Sequence, residues 1–567
     1  MEDKYLDIPS HLRSYIVDQD YTSYTSINHS CWKFIMKISQ DFFKDYAHKS
    51  YMEGLEKTGI TINKIPRISD MDKKLKKIGW RAVPVRGFLP PTIFMQFQSY
   101  SILPIASDMR TVNHMTYTPA PDIVHEAAGH SPIIVDHLYS EYLKNYGEVA
   151  SKAISSKQDY EVYVSIRFLS DIKENPKSTK EDINNAEESL EKSLEDNSYL
   201  SEAAYLARLN WWTVEYGLVG DIDNPKIFGA GLLSSVGESY NAIYGDVKII
   251  PLTLDCINYS YDITEQQPQL FIAKNFEHLN EVLNEYKNKM AYKIGGIKSI
   301  REAIKSQSIC TFQLNTGLQI SGMPIEVLGS SKEEFYRFNG PVQLCYRDKE
   351  LAGHSGKYHS QGFSSPLCSD LIINQLREAN IHEQINITFD SGINLDGKIK
   401  DKIFNNSKLI IVSFDNCRIT HGNKTLFDPN WGIFDLACGN SVVSVYGGPA
   451  DIKSYLKFMD IELPNKVKPK YLTKYSKLEK SLIHLYEKVI SNDSKSNLND
   501  QELQLIVDEL DLSFQDDWLL RFELLNILNP EKDSKLISKL RLQIDNISRK
   551  DFDLHHSIKR GLDSIFS

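Results

Sequence analysis

From about residue 22 to residue 305, apolar positions recur at three- and four-residue spacing, the repeat of helices with one buried face. In SCWKFIMKISQDFFKDYAHKSYMEGLEKTG (residues 30–59) the pattern predicts a helical run that Gly59 can close. Further helices are predicted over roughly 122–131, over SEYLKNYGEVASKAISS (140–156) and over a stretch containing LSEAAYLARLNWWTVEYGL (200–218). KSTKEDINNAEESLEKSLEDNSY (177–199) is so charged that it reads as a solvated helix or connector. After about residue 305 the texture changes to short β-branched and aromatic runs separated by Gly and Asn turns, as in an antiparallel sheet or barrel. CTFQLNTGLQISGMPIEVLG, PVQLCYRD, INITFDSGINLDGKI, SKLIIVSFDNCRITHGNKTLF and SVVSVYGG are such runs. From about 465 the helical repeat returns in YLTKYSKLEKSLIHLYEKVI, DQELQLIVDELDLS, DWLLRFELLNILN and KLISKLRLQIDNI. The expected organisation is an N-terminal extension (1–21), a helical domain (22–305), a β-rich domain (306–464) and a helical C-terminal region (465–567).

A chain of 567 residues exceeds the size at which a single core stops growing, about 250–300 residues. The formal charge of −10 disfavours nonspecific nucleic-acid binding and turns attention to small molecules or proteins as partners. No apolar run is long enough to span a membrane, and the first residues have neither secretory nor transit character. Seven scattered cysteines without a CxxC pair suit reduced thiols, so a cytoplasmic location is expected.

The stretch TPAPDIVHEAAGH (118–130) brings in chemistry. His125 and His130 are five residues apart, with Glu126 beside the first. Three readings stand open on the residues alone. They can be ordinary helix residues with satisfied hydrogen bonds. A zinc hydrolase would want histidines at i and i+4, and in a regular α-helix a spacing of five turns the second roughly 140° from the first. A non-haem iron site of two histidines and one carboxylate needs a distorted helix and an acid from elsewhere. Glu215, in the apolar NWWTVEYGL, is a candidate, because a buried carboxylate is expensive unless paired or metal-bound.

With these residues in hand, the sequence resembles the pterin-dependent aromatic amino-acid hydroxylases, and among them most the phenylalanine 4-hydroxylases. YTPAPDIVHEAAGHSPII is similar to the family's iron-binding segment, WWTVEYGL to its carboxylate segment and FGAGLLSSVGE to its substrate-pocket lining. GWRAVPVRGFLPPTIFM resembles the pterin loop, and YDITEQQPQLFIAKNFEHLNEVLNEY the end of the catalytic core. The five segments occur in the family's order. The resemblance implies a mainly α-helical catalytic domain of the aromatic amino-acid hydroxylase type, followed here by a β-rich domain and a helical C-terminal segment. It implies an iron- and tetrahydropterin-dependent monooxygenase that uses O2 on the ring of a free aromatic amino acid, phenylalanine first, with tryptophan or tyrosine as the alternative substrate. A catalytically silent binding protein is the reading from another class, beside the zinc hydrolase.

Carried over by resemblance, His125, His130 and Glu215 are the Fe(II) ligands. Gly87, Leu89, Phe94 and Glu126 belong to the tetrahydrobiopterin site, with Phe94 stacking on the pterin and Glu126 near the iron-bound waters as a catalytic residue. Arg110 holds the substrate carboxylate, Asp122 supports it, and Thr118, Gly231 and Ser234 line the amino-acid pocket. Trp211 is a wall of the ring pocket, and Ile263 stands where tyrosine hydroxylases carry an aspartate; both favour phenylalanine. The sequence departs from the family at Asn210, usually Tyr, and at Pro90 and Pro91, which replace serines. A regulatory domain of the animal type is not expected ahead of the core. In the C-terminal half, Asp415, Cys417, His421 and Cys438 have no metal-ligand spacing and read as structural. GHSGKYHSQGFSSP, with His354 and His359, reads as a flexible or binding loop. Homo-oligomerisation, covering of the active site and binding of a regulatory ligand remain open roles for that half.

Overall fold

The computed structural model describes residues 2–115, 121–174, 178–263, 266–329, 334–459, 475–490, 498–529, 533–549 and 552–566. Thr118 and the expected boundary at 464/465 lie outside the described residues. Helix Ser26–Tyr46 runs through the first region, opened by a capping box between Thr25 and Asn28 that satisfies free backbone donors. The single helical run predicted to Gly59 is in fact two helices, Ser26–Tyr46 and Ser50–Thr58. The break has a tertiary cause. Ala47 is extended and bridges Ile227, and the His48 N–H donates to the Ile227 carbonyl at 2.8 Å, so the backbone between the helices pairs with strand Asn224–Ile227. Gly59 closes the second helix at φ 83°, a left-handed conformation that glycine adopts without strain.

Two small sheets complete this region. Strands Arg81–Val85 and Ile102–Ala106 pair in parallel, and a four-stranded sheet runs in the order Asn224–Ile227, Leu218–Asp221, Gln269–Ala273, Lys248–Pro251. The charged stretch of 177–199 forms helix Lys180–Glu195, which folds back on helix Lys157–Glu174 and buries Ala186 and Leu190 against Leu169.

The β-rich region holds two antiparallel sheets. One has the order Lys349–Glu350, Phe335–Tyr346, Leu318–Leu328, Cys310–Leu314, Val442–Gly447, with Gly362–Pro366 also on Phe335–Tyr346. The other has the order Gln384–Thr388, Ile393–Asn405, Lys408–His421, Lys424–Phe427, with Phe434–Ala437 also on Lys408–His421. Alternation is clean along Ile393–Lys400, where every second side chain is buried and its neighbours face out. This region packs on the end of the first through helices Ala291–Ile294 and Gly296–Ser306, whose Ala291, Ile300 and Ala303 share a cluster with Val442 and Val445.

Of the C-terminal helices Lys477–Ile490, Asp500–Ser513, Trp518–Ile527, Ser534–Ser548 and Phe552–Phe566, the first, third and fifth pack on helix Ser26–Tyr46, and Ser534–Ser548 packs on the third and fifth. One hydrophobic cluster is continuous from Tyr24 to Leu562. Phe34 meets Trp518 and Phe522 edge-on, each with ring centroids 4.9 Å apart. Lys33 pairs with Glu523 at 3.1 Å, and a side chain at Gly561 would collide with Phe34 and Phe522. All seven cysteines are buried and free, and among the described residues no helix is long and apolar enough to cross a membrane.

Because Phe34 fills the seam between the two helical layers, Phe34→Ala should cost about 3–5 kcal/mol of stability. Chemical denaturation of the full chain measures this loss. Limited proteolysis should show the helices after residue 475 cut sooner than in the parent.

Candidate functional site

The sequence pattern predicts a helix over 122–131, and the structure gives it an unusual winding. Val124–His130 is a π-helix, followed directly by the short α-helix Ser131–Ile133. Hydrogen bonds running from i to i+5 widen the turn, so residues five apart return to one face. That winding answers the spacing of His125 and His130: their Nε2 atoms are 3.2 Å apart. Gly129 is required at this turn because a Cβ there would sit 2.6 Å from the Ala230 carbonyl oxygen. The second segment repeats the device. Helix Glu202–Asn210 passes into a π-helix at Trp211–Glu215, which delivers Glu215 to the two histidines. Its carboxylate oxygens stand 3.3 Å from His125 Nε2 and 3.4 Å from His130 Nε2.

The electrostatics follow from this convergence. Burial opposes ionisation of Glu215, but His130 and then His125 outweigh it and hold the carboxyl well below the usual range. Glu126 is the contrast. Burial pushes it up to about 8, with His130 opposing and Glu215 and Asp122 adding to the rise. Its Oε2 is buried without a hydrogen-bond partner, 3.9 Å from His130 Nε2.

A closed ring of contacts positions His125. Ser234 Oγ lies 2.7 Å from the Ala230 carbonyl, to which it donates, and 3.0 Å from His125 Nδ1. With its proton committed, the hydroxyl accepts from Nδ1–H, which leaves the lone pair on Nε2, the atom facing Glu215. The His125 backbone N–H donates to Asp122 Oδ1 at 3.0 Å. Asp122 in turn accepts from Arg110 through Nε at 2.8 Å, Nη2 at 2.9 Å and the backbone N–H at 3.1 Å. Arg110 Nη1 reaches the Ser234 carbonyl at 3.3 Å and closes the ring.

Around this centre, the Phe94 ring lies 6.4 Å from that of His130. Phe94 sits on helix Pro91–Ser99, where Pro90 and Pro91 stand at the helix start, a position proline favours. Gly87 has φ 60°, Leu89 packs against the small cluster of Tyr5, Val83 and Phe97, and Tyr163 donates to the Phe88 carbonyl between them. Gly231 is buried against Glu215 and Tyr216. Trp211 stacks on Tyr261 at 4.3 Å and on Tyr216 at 4.6 Å, and its Nε1–H donates to Gln267. Ile263 is half-buried two residues beyond Tyr261.

Sequence reasoning therefore named His125, His130 and Glu215, whose side chains converge, together with Glu126 and the Arg110–Asp122 pair. It missed Tyr261 and Gln267, although both lie in the quoted YDITEQQPQ stretch. It also assigned Ser234 to the substrate pocket without its bond to His125. Asn210, the departure from the family pattern, carries a buried side-chain oxygen with no partner.

Known proteins resemble about half of this chain. The sequence profile described as biopterin-dependent aromatic amino acid hydroxylase matches residues 15–168 and 195–298, and the interval between them contains most of helix Lys180–Glu195. The phenylalanine-4-hydroxylase of Mesorhizobium japonicum is 26% identical over 271 residues, 47% of this chain and 82% of the relative. That of Pseudomonas aeruginosa is 24% identical over 274 residues, 47% of this chain and 86% of the relative. A Chromobacterium violaceum phenylalanine hydroxylase structure with iron(III) and 7,8-dihydrobiopterin is 21% identical, with a TM-score of 0.39 over 51% of this chain and 90% of that one. Residues 15–168 and 195–298, which contain His125, His130 and Glu215, match the family described as biopterin-dependent aromatic amino acid hydroxylase.

Proposed function

We propose that the chain is an iron- and tetrahydropterin-dependent monooxygenase that converts L-phenylalanine to L-tyrosine with O2. The observation that carries this reading is the convergence of two imidazole nitrogens 3.2 Å apart with the Glu215 carboxylate, one oxygen 3.3 Å from His125 Nε2 and the other 3.4 Å from His130 Nε2. Two histidines and a carboxylate on one face of a metal are the donors of non-haem Fe(II) oxygenases. The i+5 spacing on a π-helix differs from the i+4 α-helical pair of zinc peptidases. The orphaned Glu126 oxygen beside His130 suits a polar ligand close to the metal.

When bound at this centre, iron(II) and the tetrahydropterin supply the dioxygen activation and the two electrons that ring hydroxylation needs. The residues of the chain do the rest. His125, His130 and Glu215 hold the metal from one side, and Ser234 fixes the His125 tautomer. Phe94 offers an aromatic face to the pterin beside Gly87 and Leu89, and Glu126 offers it a polar contact. Arg110, held by Asp122, presents its remaining N–H donors to the amino-acid carboxylate, a pairing strengthened by charge. The Trp211–Tyr261 stack makes a rigid wall for the substrate ring, with Gly231 leaving room beside it. Ile263 keeps the neighbouring surface apolar, which favours phenylalanine over tyrosine.

Oxygen uptake and product mass, measured on Fe(II)-loaded protein with tetrahydrobiopterin, should show tyrosine formed from phenylalanine in preference to products from tyrosine or tryptophan. His125→Ala or Glu215→Ala should abolish iron retention and turnover together; full turnover in either variant would overturn the ligand assignment.

Ser234→Ala should weaken iron binding by about 10- to 100-fold, the usual effect of removing a group that orients a ligating histidine. An iron titration of the apoprotein reads this directly.

Arg110→Lys keeps a cation opposite Asp122 but loses the planar fork. It should raise the KM for phenylalanine by about tenfold or more while iron content stays at the parent level.

A further inference from the structure

The β-rich region contains a second convergence of ligating side chains, remote in sequence from the first. His354, His359 and Asp435 are all buried, and one ligating atom of each lies within 4.8 Å of the other two. The histidines come from the loop between strands Lys349–Glu350 and Gly362–Pro366, and Asp435 comes from strand Phe434–Ala437 of the other sheet. Its Gly/Ser composition suggests flexibility, but the loop is tied down. Leu344 N–H donates to the His354 carbonyl and Val342 N–H to the His359 carbonyl, each at 3.1 Å, from alternate residues of strand Phe335–Tyr346. Two further backbone bonds, His354 to Leu351 and His359 to Ser355, wind the loop into turns.

The side chains then face one another. His354 Nδ1 is 3.1 Å from His359 Nε2, and Asp435 Oδ2 is 4.0 Å from His354 Nδ1. Asp435 is the cross-strand partner of Ser413, whose hydroxyl donates to Oδ1, and the Tyr358 hydroxyl also bonds the carboxylate. A hydrogen bond between the imidazoles accounts for two of the three residues and leaves the third without a counter-charge. Among the described residues no arginine or lysine nitrogen lies within 4.0 Å of Asp435, and Lys400, which acts on it at longer range, pairs instead with Asp415. A buried carboxylate served by neutral hydroxyls calls for a cation.

Two imidazole nitrogens and one carboxylate oxygen are the protein donors of many three-ligand zinc sites, in which a fourth position takes water. Bonds of about 2.0–2.1 Å in a tetrahedron give ligand-to-ligand edges of about 3.3 Å. The histidine pair stands near that edge already, and Asp435 Oδ2 lies 4.0 Å from His354 Nδ1. We propose that His354, His359 and Asp435 form a second metal site, which takes a borderline divalent ion of the zinc type and clamps the 351–361 loop of one sheet to strand Phe434–Ala437 of the other. This site does not rest on the hydroxylase reading, because it shares no residue with the first centre.

The test uses the full chain, stripped with a chelator, reloaded with Zn2+ and desalted, with metal counted by inductively coupled plasma mass spectrometry. His125→Ala/His130→Ala disables the first centre without touching the β-rich region, and this variant should retain about one zinc per chain. Adding His359→Ala should remove that zinc. Asp435→Asn in the same background, nearly isosteric with the parent, should weaken zinc binding by about tenfold or more and serves if the alanine variant does not fold. A folded His125→Ala/His130→Ala protein that holds no zinc would overturn the proposal. So would undiminished zinc binding in the folded variants at His359 or Asp435.

Discussion

The i-to-i+5 winding of Val124–His130 is the constraint on which the functional half of the molecule depends. π-helical turns are rare and persist where their surroundings fix them. Here Asp122 takes the His125 N–H at the mouth of the turn, and Gly129 lets the backbone approach Ala230. Downstream, the Pro132 carbonyl lies so close to Gly54 that any side chain there would overlap it. A matching π-turn at Trp211–Glu215 is held from behind by Thr213, whose hydroxyl donates to the Leu209 carbonyl and meets Tyr142. Two locally costly windings, each fixed by packing, put three donor atoms at the corners of a small triangle.

The ring Arg110–Asp122–His125–Ser234 extends this constraint outward. Its members touch one another through six contacts at 3.3 Å or less, three of them between Arg110 and Asp122. The same four residues therefore orient the histidine proposed as a metal ligand and the guanidinium proposed to hold the substrate carboxylate. Asp122 is the shared member: it accepts from the Arg110 guanidinium and from the His125 N–H that opens the turn.

Much of this was legible in the sequence, for definable reasons. Apolar repeats reported the helices and the change to strands near 305, because burial periodicity survives in any environment. The cost of burying a carboxylate singled out Glu215 as a candidate, but His125, His130 and Glu215 were joined as one set only through the resemblance, since the residues alone left three readings open. The winding that unites them was not legible, since nothing in VHEAAGH favours i+5 over i+4 bonding without Asp122 and Ala230 in place. Likewise the break at Ala47–Lys49 depends on strand Asn224–Ile227, some 180 residues away, and no local propensity encodes it. His354 and His359 looked like loop residues because the strand that ties down their backbone, and the aspartate that faces them, are remote in sequence.

Helix Ser26–Tyr46 shows how the appended regions and the first region depend on each other. A surface helix carries one apolar stripe, but this one buries Trp32, Phe34, Ile35, Met36, Ile38, Phe42 and Phe43 around its circumference. Such a helix is stable in water only if both sides are covered. The hydroxylase-family residues cover one side, and the helices after residue 475 cover the other through Trp518, Phe522 and the Lys33–Glu523 pair. Cys31 on the same helix contacts Met115 and the Arg110 carbonyl, so the helix that receives the C-terminal layer also backs the arginine of the ring. The C-terminal layer is therefore part of the structural support of the site, one helix removed from the chemistry.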